Sequence, residues 1–423
     1  MSGHRAGLRI VVHDYAGHPF QVQLSRALAS RGHVVLHLHF AGLQTPKGRV
    51  ERRVDDPTTF VIDGLDIGEP FEKHRFVRRL RQERRYGRLL ADRIAAFHPD
   101  VVISANSPLD VQAAALGAAR RLGAGFIFWI QDLYSVAVER TLRRKLWLLG
   151  GLIARRFVHL ERSVLRRSDV VVAITDDFVP ILTRWGVSPD RVLVIENWAP
   201  LDEIQPVSKD NPWAHEHGLA SMRVILYSGT LGLKHDPSLL LRLADAFRRE
   251  SDVRVVVISE GLGADWLSDR TAGRPNLMVL PFQPFERLSE VIGSGDVTIA
   301  ILEPEAGVYS VPSKVLTYLA AGRPILAAMP AKNLAARIIT RVGAGPVVEP
   351  GDGGAFVAAA RALLANPEAR QAASEQGRAF AVTHFAIDTI VERFEPLLIR
   401  AAASGSAAAG KENRGVSRSA AGR

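Results

Sequence analysis

Short apolar runs alternate with longer amphipathic segments along most of the chain. The runs are rich in Val, Ile, Leu and Phe, a pattern typical of strands buried on both faces of a parallel sheet. In the first half, strands are predicted at Leu8–Val12, Val34–His39, Val101–Ser104, Phe126–Ile130, Val170–Ile174 and Val192–Ile195. Apolar residues at helical spacing predict helices at Phe20–Arg31, Phe76–Phe97, Val111–Leu122, Arg155–Arg167 and Phe178–Trp185. Strands that alternate with helices favour an α/β fold built from parallel βαβ units.

The alternation stops between Pro200 and Ala220, where prolines and polar residues predict a linker. Beyond it, strands are predicted at Arg223–Tyr227, Val253–Ser259, Leu277–Leu280, Val297–Ile301 and Pro324–Ala328. Helices are predicted from Asp236 onward and at Phe285–Ser294, Ser313–Ala321, Ala331–Arg341, Gly354–Ala365 and Glu368–His384. The 423 residues therefore suit two Rossmann-like domains, 1–200 and 221–386, joined by a linker at 201–220.

The end of the chain falls into two parts. Residues Ile387–Ala402 follow a sharp break and carry an apolar stripe, which predicts a helix able to cross back to the first domain. From Ser404 onward the sequence is rich in Ser, Gly and Ala. We therefore expect a disordered tail at 403–423.

Composition and charge narrow the classes of function. The absence of cysteine excludes disulfides, a thiolate nucleophile and thiolate metal sites. No apolar run reaches the ~18 residues of a spanning helix, and the strand-like start at Leu8–Val12 does not suit a signal peptide. These features predict a cytoplasmic protein. The net charge of +10 favours an anionic partner, which can be nucleic acid, membrane lipid or a phosphorylated small molecule.

Two windows of the first half together carry a net charge of +12, more than that of the whole chain. Residues 71–100 contain nine Lys or Arg and four Asp or Glu, and residues 139–168 contain nine and two. The second window also has a Trp-bearing apolar stretch, which suits a helix lying on anionic lipid at the inner face of the cytoplasmic membrane. Its candidate membrane residues are Arg143, Arg144, Lys145, Trp147, Arg155 and Arg156. A core helix with a solvated arginine face is the alternative, and nucleic acid is disfavoured because aromatic residues do not interleave with the basic runs.

Two segments of the second half are suited to bind phosphate. Gly229 and Gly232 follow a predicted strand and Lys234 precedes a helix, so backbone amides and a lysine can approach an anion. A tight strand-to-helix turn is the alternative. In the segment 303–324, Lys314 lies in the first turn of a predicted helix, where it opposes the helix dipole unless an anion binds. An ordinary exposed lysine is the alternative there.

Pairs of candidate site residues follow three of the predicted strands in the first half. They are Gly17 and His18, Gln131 and Asp132, and Asn197 and Trp198. Ligands of parallel sheets bind at the carboxyl ends of the strands, so these residues are candidates for one site. His18 is a candidate acid, base or hydrogen-bond donor. A metal site is disfavoured, because His37 and His39 alternate along a strand without a carboxylate at convincing spacing.

Four motifs resemble a known family. They are Tyr-Ser-Gly-Thr-Leu-Gly-Leu-Lys-His-Asp at 227–236, Val-Pro-Ser-Lys-Val-Leu-Thr-Tyr-Leu-Ala-Ala-Gly-Arg-Pro-Ile at 311–325, Val-Ile-Glu-Asn-Trp at 194–198 and Trp-Ile-Gln-Asp-Leu-Tyr at 129–134. The chain resembles the retaining glycosyltransferases of family 4, especially bacterial members that build O-antigens, capsules, colanic acid and other exopolysaccharides. The resemblance implies a GT-B fold, with two domains facing across a cleft. It also implies an acceptor bound by the first domain, a nucleotide sugar bound by the second, and no metal or cofactor.

The resemblance also implies roles for single residues. Donor binding falls to Gly229, Thr230, Lys234, Glu305, Tyr309, Ser310, Ser313, Lys314 and Thr317. The catalytic candidates are His18 and Asp132, and the acceptor cleft is lined by Gly17, Gln131, Asn197 and Trp198. The family often carries two glutamates where this chain has Tyr309 and Thr317. The second glutamate usually holds the donor ribose, so the resemblance assigns no glutamate to that contact here.

The predicted function is metal-independent, retaining sugar transfer from a UDP-linked donor to a lipid-linked glycan. The alternatives are a nucleotide-sugar epimerase of the same fold and a non-catalytic nucleotide-sugar-binding subunit.

Overall fold

The computed structural model describes residues 7–43, 45, 47–72, 75–105, 107–136, 149–232, 235–308 and 310–420. The chain forms two compact units. Unit 1 consists of Met1–Glu196 and Ile387–Arg423, and unit 2 consists of Asn197–Ala386. The last segment of the chain therefore belongs to the same unit as the first.

Unit 1 is built on a parallel sheet. Its strands are β1 (Arg9–Asp14), β2 (Val34–Phe40), β3 (Phe60–Leu65), β4 (Val101–Ala105), β5 (Gly125–Ile130), β6 (Val170–Ala173) and β7 (Val192–Val194). The sheet order is β3-β2-β1-β4-β5-β6-β7, and every neighbouring pair is parallel. The described helices of this unit are α1 (Pro19–Ser30), α2 (Phe76–Phe97), α3 (Leu109–Leu122), α4 (Leu149–Arg167), α5 (Val179–Arg184) and α14 (Ile387–Ala420).

The pattern of apolar runs does not predict strand β3. It lies at the edge of the sheet, where only one neighbour pairs with it. Phe60 is fully buried, but Val61 is 42% exposed, and Asp63 and Gly64 follow in the same strand. An edge strand with one solvent-exposed face needs few apolar residues, so its sequence does not resemble that of the buried strands.

Helix α14 packs against unit 1 and is longer than predicted. The Phe394 ring lies 5.0 Å from that of Trp129 on β5, and the Arg393 guanidinium donates to the Val194 carbonyl. The helix continues to Ala420, so the prediction of a disordered tail from residue 403 was wrong. Alanine has the highest helix propensity, and a Cβ at Gly405 would lie 2.5 Å from the Gly125 amide nitrogen, so this part approaches the sheet closely.

Unit 2 is built on a second parallel sheet. Its strands are β8 (Arg223–Ser228), β9 (Val253–Ile258), β10 (Leu277–Leu280), β11 (Val297–Ile301), β12 (Ile325–Ala328) and β13 (Val347–Val348), in the order β10-β9-β8-β11-β12-β13. The described helices are α6 (Pro212–Glu216), α7 (Ser238–Ala246), α8 (Leu262–Ser268), α9 (Leu288–Gly293), α10 (Lys314–Ala320), α11 (Leu334–Val342), α12 (Gly353–Ala365) and α13 (Pro367–His384). Both sheets match the predicted α/β class.

The segment 201–220, predicted as a linker, is packed into unit 2. Trp213 is fully buried against the sheet and its indole donates to Gln283 at 3.1 Å. Asn211 caps α6 by accepting from the Ala214 amide at 3.0 Å. Pro212 therefore begins a helix, and the segment is an ordered part of unit 2.

No helix in the described ranges is long and apolar enough to cross a membrane.

Candidate functional site

Each sheet has one point at which the strand order reverses direction. In unit 1 it lies between β1 and β4, and in unit 2 between β8 and β11. At such a point the loops after the two strands diverge and leave a crevice where open parallel sheets bind ligands. Most of the predicted site residues follow β1, β8 or β11. The topology therefore brings them to two such points, one in each unit.

Gly229 forms the sharp turn after β8. Its φ is +132°, a conformation that residues with a Cβ rarely adopt, and its amide donates to the Ile258 carbonyl at 3.0 Å. A Cβ on Gly229 would lie 3.1 Å from Lys314 Cε and 3.2 Å from Lys314 Nζ. The two residues are far apart in the sequence, and the fold places the lysine amine directly against the glycine.

The Lys314 amine is the central feature of unit 2. Within the described part of the chain its Nζ is shielded from solvent and has no hydrogen-bond partner, although the residue as a whole is half-buried. It lies 3.6 Å from the centroid of the Tyr227 ring, within cation–π distance. Burial lowers the pKa of Lys314 well below its ordinary value of 10.5. A buried amine without a partner costs free energy, and a bound anion would supply the partner.

Two tyrosines hold the loop after β8 in place. The Tyr318 hydroxyl, on α10, accepts from the Ser228 amide at 2.9 Å and donates to the Ser228 carbonyl at 3.1 Å. The Tyr227 hydroxyl donates to the Thr230 carbonyl at 2.9 Å. Burial raises the pKa of both tyrosines, so they act as neutral donors. Neither was predicted as a site residue, although the spacing of Lys314 and Tyr318 puts them on one face of α10.

The other predicted donor residues lie at different depths. Ser310 is buried, Thr317 is half-buried, and Thr230, Glu305 and Ser313 are exposed. Lys234 and Tyr309 lie outside the described residues. The structure thus unites Gly229 with Lys314 and sets the loop 310–313 immediately before that lysine.

In unit 1, Asp14 organises the turn after β1. Its carboxylate is fully buried and accepts from the backbone amides of Ala16 and His18. His18 Nδ1 lies 3.2 Å from Asp14 Oδ1, and the His18 side chain is 30% exposed. Gly17, between them, has a φ of +76°, which favours glycine. The turn therefore leaves part of the His18 imidazole exposed, while the Asp14 carboxylate holds its Nδ1.

The protonation of His18 gives a direct test of this arrangement. Burial opposes the charged ring, but the Asp14 carboxylate and, less strongly, Asp132 outweigh it, so the pKa of His18 is raised above 6.5. We expect an NMR titration of His18 with a midpoint above 6.5, and Asp14→Asn to move it downward. The stabilisation from this pair is complete below pH 6.5 and is lost as the pH rises through the raised pKa. A His18 midpoint unchanged by Asp14→Asn would contradict the pairing.

The turn after β5 is fixed from two sides. Glu161 of α4 is fully buried, and its Oε1 and Oε2 accept from the amides of Tyr134 and Ser135, each at 3.0 Å. The Tyr134 hydroxyl accepts from Arg79 of α2 at 3.1 Å. Burial raises the pKa of Glu161 to about 7, against the opposing effect of its hydrogen bonds. The two polar residues that precede this turn are therefore held at the carboxyl end of β5.

The remaining predicted residues differ in their surroundings. Gln131 is 8% exposed and Asp132 is half-buried. Asn197 and Trp198 belong to unit 2, and both are buried.

Four of the six predicted membrane residues lie outside the described residues. They are Arg143, Arg144, Lys145 and Trp147. Arg155 and Arg156 are exposed on α4, where Arg156 pairs with Asp110 at 3.3 Å.

Two family models match the chain, one in each half. The model of a glycosyl transferase 4-like domain matches residues 18–198, and the model of glycosyl transferases group 1 matches residues 222–366. The first match lies in unit 1 apart from its last two residues, and the second lies in unit 2 and contains the Gly229 and Lys314 loops. The matches confirm the resemblance inferred from the sequence motifs.

A similar protein of Escherichia coli is also named as a glycosyl transferase. The protein WcaI of Escherichia coli (strain K12), named as a colanic acid biosynthesis glycosyl transferase, is 27% identical over 232 residues. That match covers 53% of this chain and 57% of WcaI, so it spans little more than half of either protein.

Solved structures support the fold. Anabaena Alr3699/HepE in complex with UDP-glucose has a TM-score of 0.66 and 15% identity, covering 92% of this chain and 99% of that one. WaaG, described as a glycosyltransferase involved in lipopolysaccharide biosynthesis, has a TM-score of 0.64 and 16% identity, covering 91% and 99%. With its two matched domains and two parallel sheets, the chain belongs to the family 4 glycosyltransferases of the GT-B fold.

Proposed function

We propose that this protein transfers a sugar from a UDP-linked donor to a lipid-linked glycan in the biosynthesis of a cell-surface polysaccharide, with retention at the anomeric carbon and without a metal ion. The observation that carries the proposal is the Lys314 amine, which is shielded, lacks a hydrogen-bond partner among the described residues and lies against Gly229. A diphosphate would supply the anionic oxygens that this amine lacks.

The proposed chemistry is a displacement at the anomeric carbon. The acceptor hydroxyl oxygen forms a bond to that carbon while the bond to the β-phosphate oxygen breaks on the same face of the sugar. The hydroxyl proton passes to the departing diphosphate. Negative charge grows on the leaving group, and Lys314 with the amides of its loop stabilises that charge. Lys234, by resemblance, supplies a second positive charge.

The proposed division of labour follows the two units. Unit 2 binds the donor, because it holds Gly229 and the Lys314 amine. The HepE structures contain UDP, UDP with glucose, or UDP-glucose, which supports a UDP-linked donor. Unit 1 binds the acceptor through Gly17 and Gln131. His18 and Asp132, also in unit 1, are the proposed catalytic residues. The name of WcaI supports a role in polysaccharide assembly.

A transfer assay tests the proposal. Purified protein would be incubated with UDP-glucose, UDP-N-acetylglucosamine or UDP-galactose and polyprenyl-diphosphate-linked glycan, and the product anomer determined by NMR. We expect a glycosylated lipid with a retained anomeric configuration and full activity in excess EDTA. Epimerised donor in the absence of acceptor would support the epimerase alternative. Donor binding without any transfer would support a non-catalytic subunit, and activity restored by magnesium or manganese would refute metal independence.

Membrane docking is a separate prediction. Residues 139–168 carry nine Lys or Arg, and the acceptor is proposed to lie in a bilayer. We expect the protein to sediment with anionic vesicles but not neutral ones, and less at high salt, because the Debye length falls from ~10 Å at 0.1 M to ~3 Å at 1 M. Changing Arg143, Arg144 and Lys145 to Glu should release it and leave UDP binding intact. A triple variant that still sediments would refute docking through this window.

A further inference from the structure

The loop that leads into Lys314 is tied to another element by a single side chain. Asn333, immediately before α11, donates from Nδ2 to the Gly307 carbonyl at 3.1 Å and to the Ser310 carbonyl at 2.8 Å. Its Oδ1 accepts from the Ala335 amide at 3.0 Å and so caps α11. Asn333 is 2% exposed. One buried amide therefore joins the start of a helix to Gly307 and to Ser310.

Gly307 is also packed closely against the segment that holds Asn333. A Cβ on Gly307 would lie 2.7 Å from Pro330 Cγ, so only glycine fits there without movement. The Ser310 amide donates to the Ala306 carbonyl at 3.1 Å. Because only three residues separate Ser310 from Lys314, movement of Ser310 would shift the start of α10 and the lysine with it.

We propose that Asn333 is a positioning residue that sets the affinity of this site for a nucleoside diphosphate. It does not touch the ligand, and it acts by holding Gly307 and Ser310 and hence the first residues of α10. The inference rests on the proposed function, because it takes the loop before Lys314 as the diphosphate site. It adds a residue from outside the four family motifs, with a defined and separable role.

Asn333→Asp separates the two tasks of this side chain. A carboxylate retains the oxygen that caps α11, as Asp352 does for α12 by accepting from the Ala355 amide at 2.8 Å. It removes both N–H donors and sets negative charge against two carbonyl oxygens. We expect the dissociation constant for UDP, measured by calorimetry, to rise about tenfold, which corresponds to the loss of two neutral hydrogen bonds. In transfer assays KM for the donor should rise more than kcat falls.

The chain offers a matched control. Asn366 caps α13 by accepting from the Ala369 amide at 2.9 Å. Asn366→Asp makes the same chemical change at a cap in the same unit, and it should bind UDP like the wild type. If Asn333→Asp does not fold, Asn333→Ser takes its place, because serine caps a helix well and also lacks the amide donors. It should show the same loss of affinity.

The outcomes are distinct. A folded Asn333 variant that binds UDP as tightly as the wild type would overturn this inference and leave the proposed function standing. Equal weakening by Asn333→Asp and Asn366→Asp would also overturn it, because the effect would then come from helix capping in general. Wild-type protein that binds no UDP would overturn the proposed function and this inference together.

Discussion

Lys314→Ala is expected to lower donor turnover about tenfold to a hundredfold, since a charge-assisted bond to phosphate is worth about 1.5–3 kcal/mol. No described residue is a hydrogen-bond partner of the Lys314 amine. A bound diphosphate would therefore be that partner. The measurement is kcat/KM for the nucleotide sugar, with the dissociation constant for UDP alongside.

The matched control is Lys332→Ala, an exposed lysine of the same unit, which should retain wild-type activity. Lys234→Ala is expected to show a loss of the same size as Lys314→Ala, from its resemblance to the family's phosphate-binding lysine. Near-wild-type activity in both Lys234→Ala and Lys314→Ala would contradict the diphosphate site.

The same lysine predicts a pH dependence of binding. Burial lowers the pKa of Lys314. In the empty site its amine therefore loses its proton at a lower pH than an exposed lysine does. A bound diphosphate favours the charged form, so binding takes up a proton there. UDP affinity should therefore fall as the pH rises above the lowered pKa. The Lys314→Ala variant should lose this dependence, which calorimetry in buffers of different ionisation enthalpy would detect.

The buried strands could be predicted from the sequence because burial on both faces leaves an uninterrupted apolar run. The runs at Val101–Ala105 and Val297–Ile301 are fully buried and stand at sheet centres. The pattern failed where burial is partial or depends on distant residues. Edge strand β3 has one wet face. The region 201–220 is ordered by contacts with residues such as Gln283, which local sequence does not reveal.

The candidate site was predicted in its sequence motifs but not in its supporting contacts. Glycine after a strand and lysine at a helix start are local features, so Gly229 and Lys314 could be singled out separately. Their contact depends on the pairing of β8 with β11, which is long-range. The contacts of Tyr318 and Asn333 are also long-range. Tyr318 bonds to Ser228, and Asn333 bonds to Ser310, and each pair is far apart in the sequence.

His37→Asn is expected to make the protein more resistant to acid. Burial lowers the pKa of His37 to about 3, and the same holds for His13, so both rings stay neutral in the folded state. The unfolded chain takes up these protons near pH 6.5, so stability falls as the pH drops below that value. Each histidine then costs about 1.4 kcal/mol per pH unit between about pH 6.5 and 3.

The effect appears as a difference between variants, because other groups titrate in the opposite sense. Glu161, with its pKa raised to about 7, binds its proton more tightly in the folded state and stabilises it as the pH falls. We chose asparagine because its side chain can keep a polar atom near Ser25 Oγ, which lies 2.8 Å from His37 Nδ1. Denaturant titrations should show a loss of stability from pH 7 to pH 5 about 2 kcal/mol smaller in His37→Asn than in the wild type. His159→Asn, at an exposed position of α4, should follow the wild type. Equal losses in all three proteins would mean that His37 is not held neutral in the folded protein.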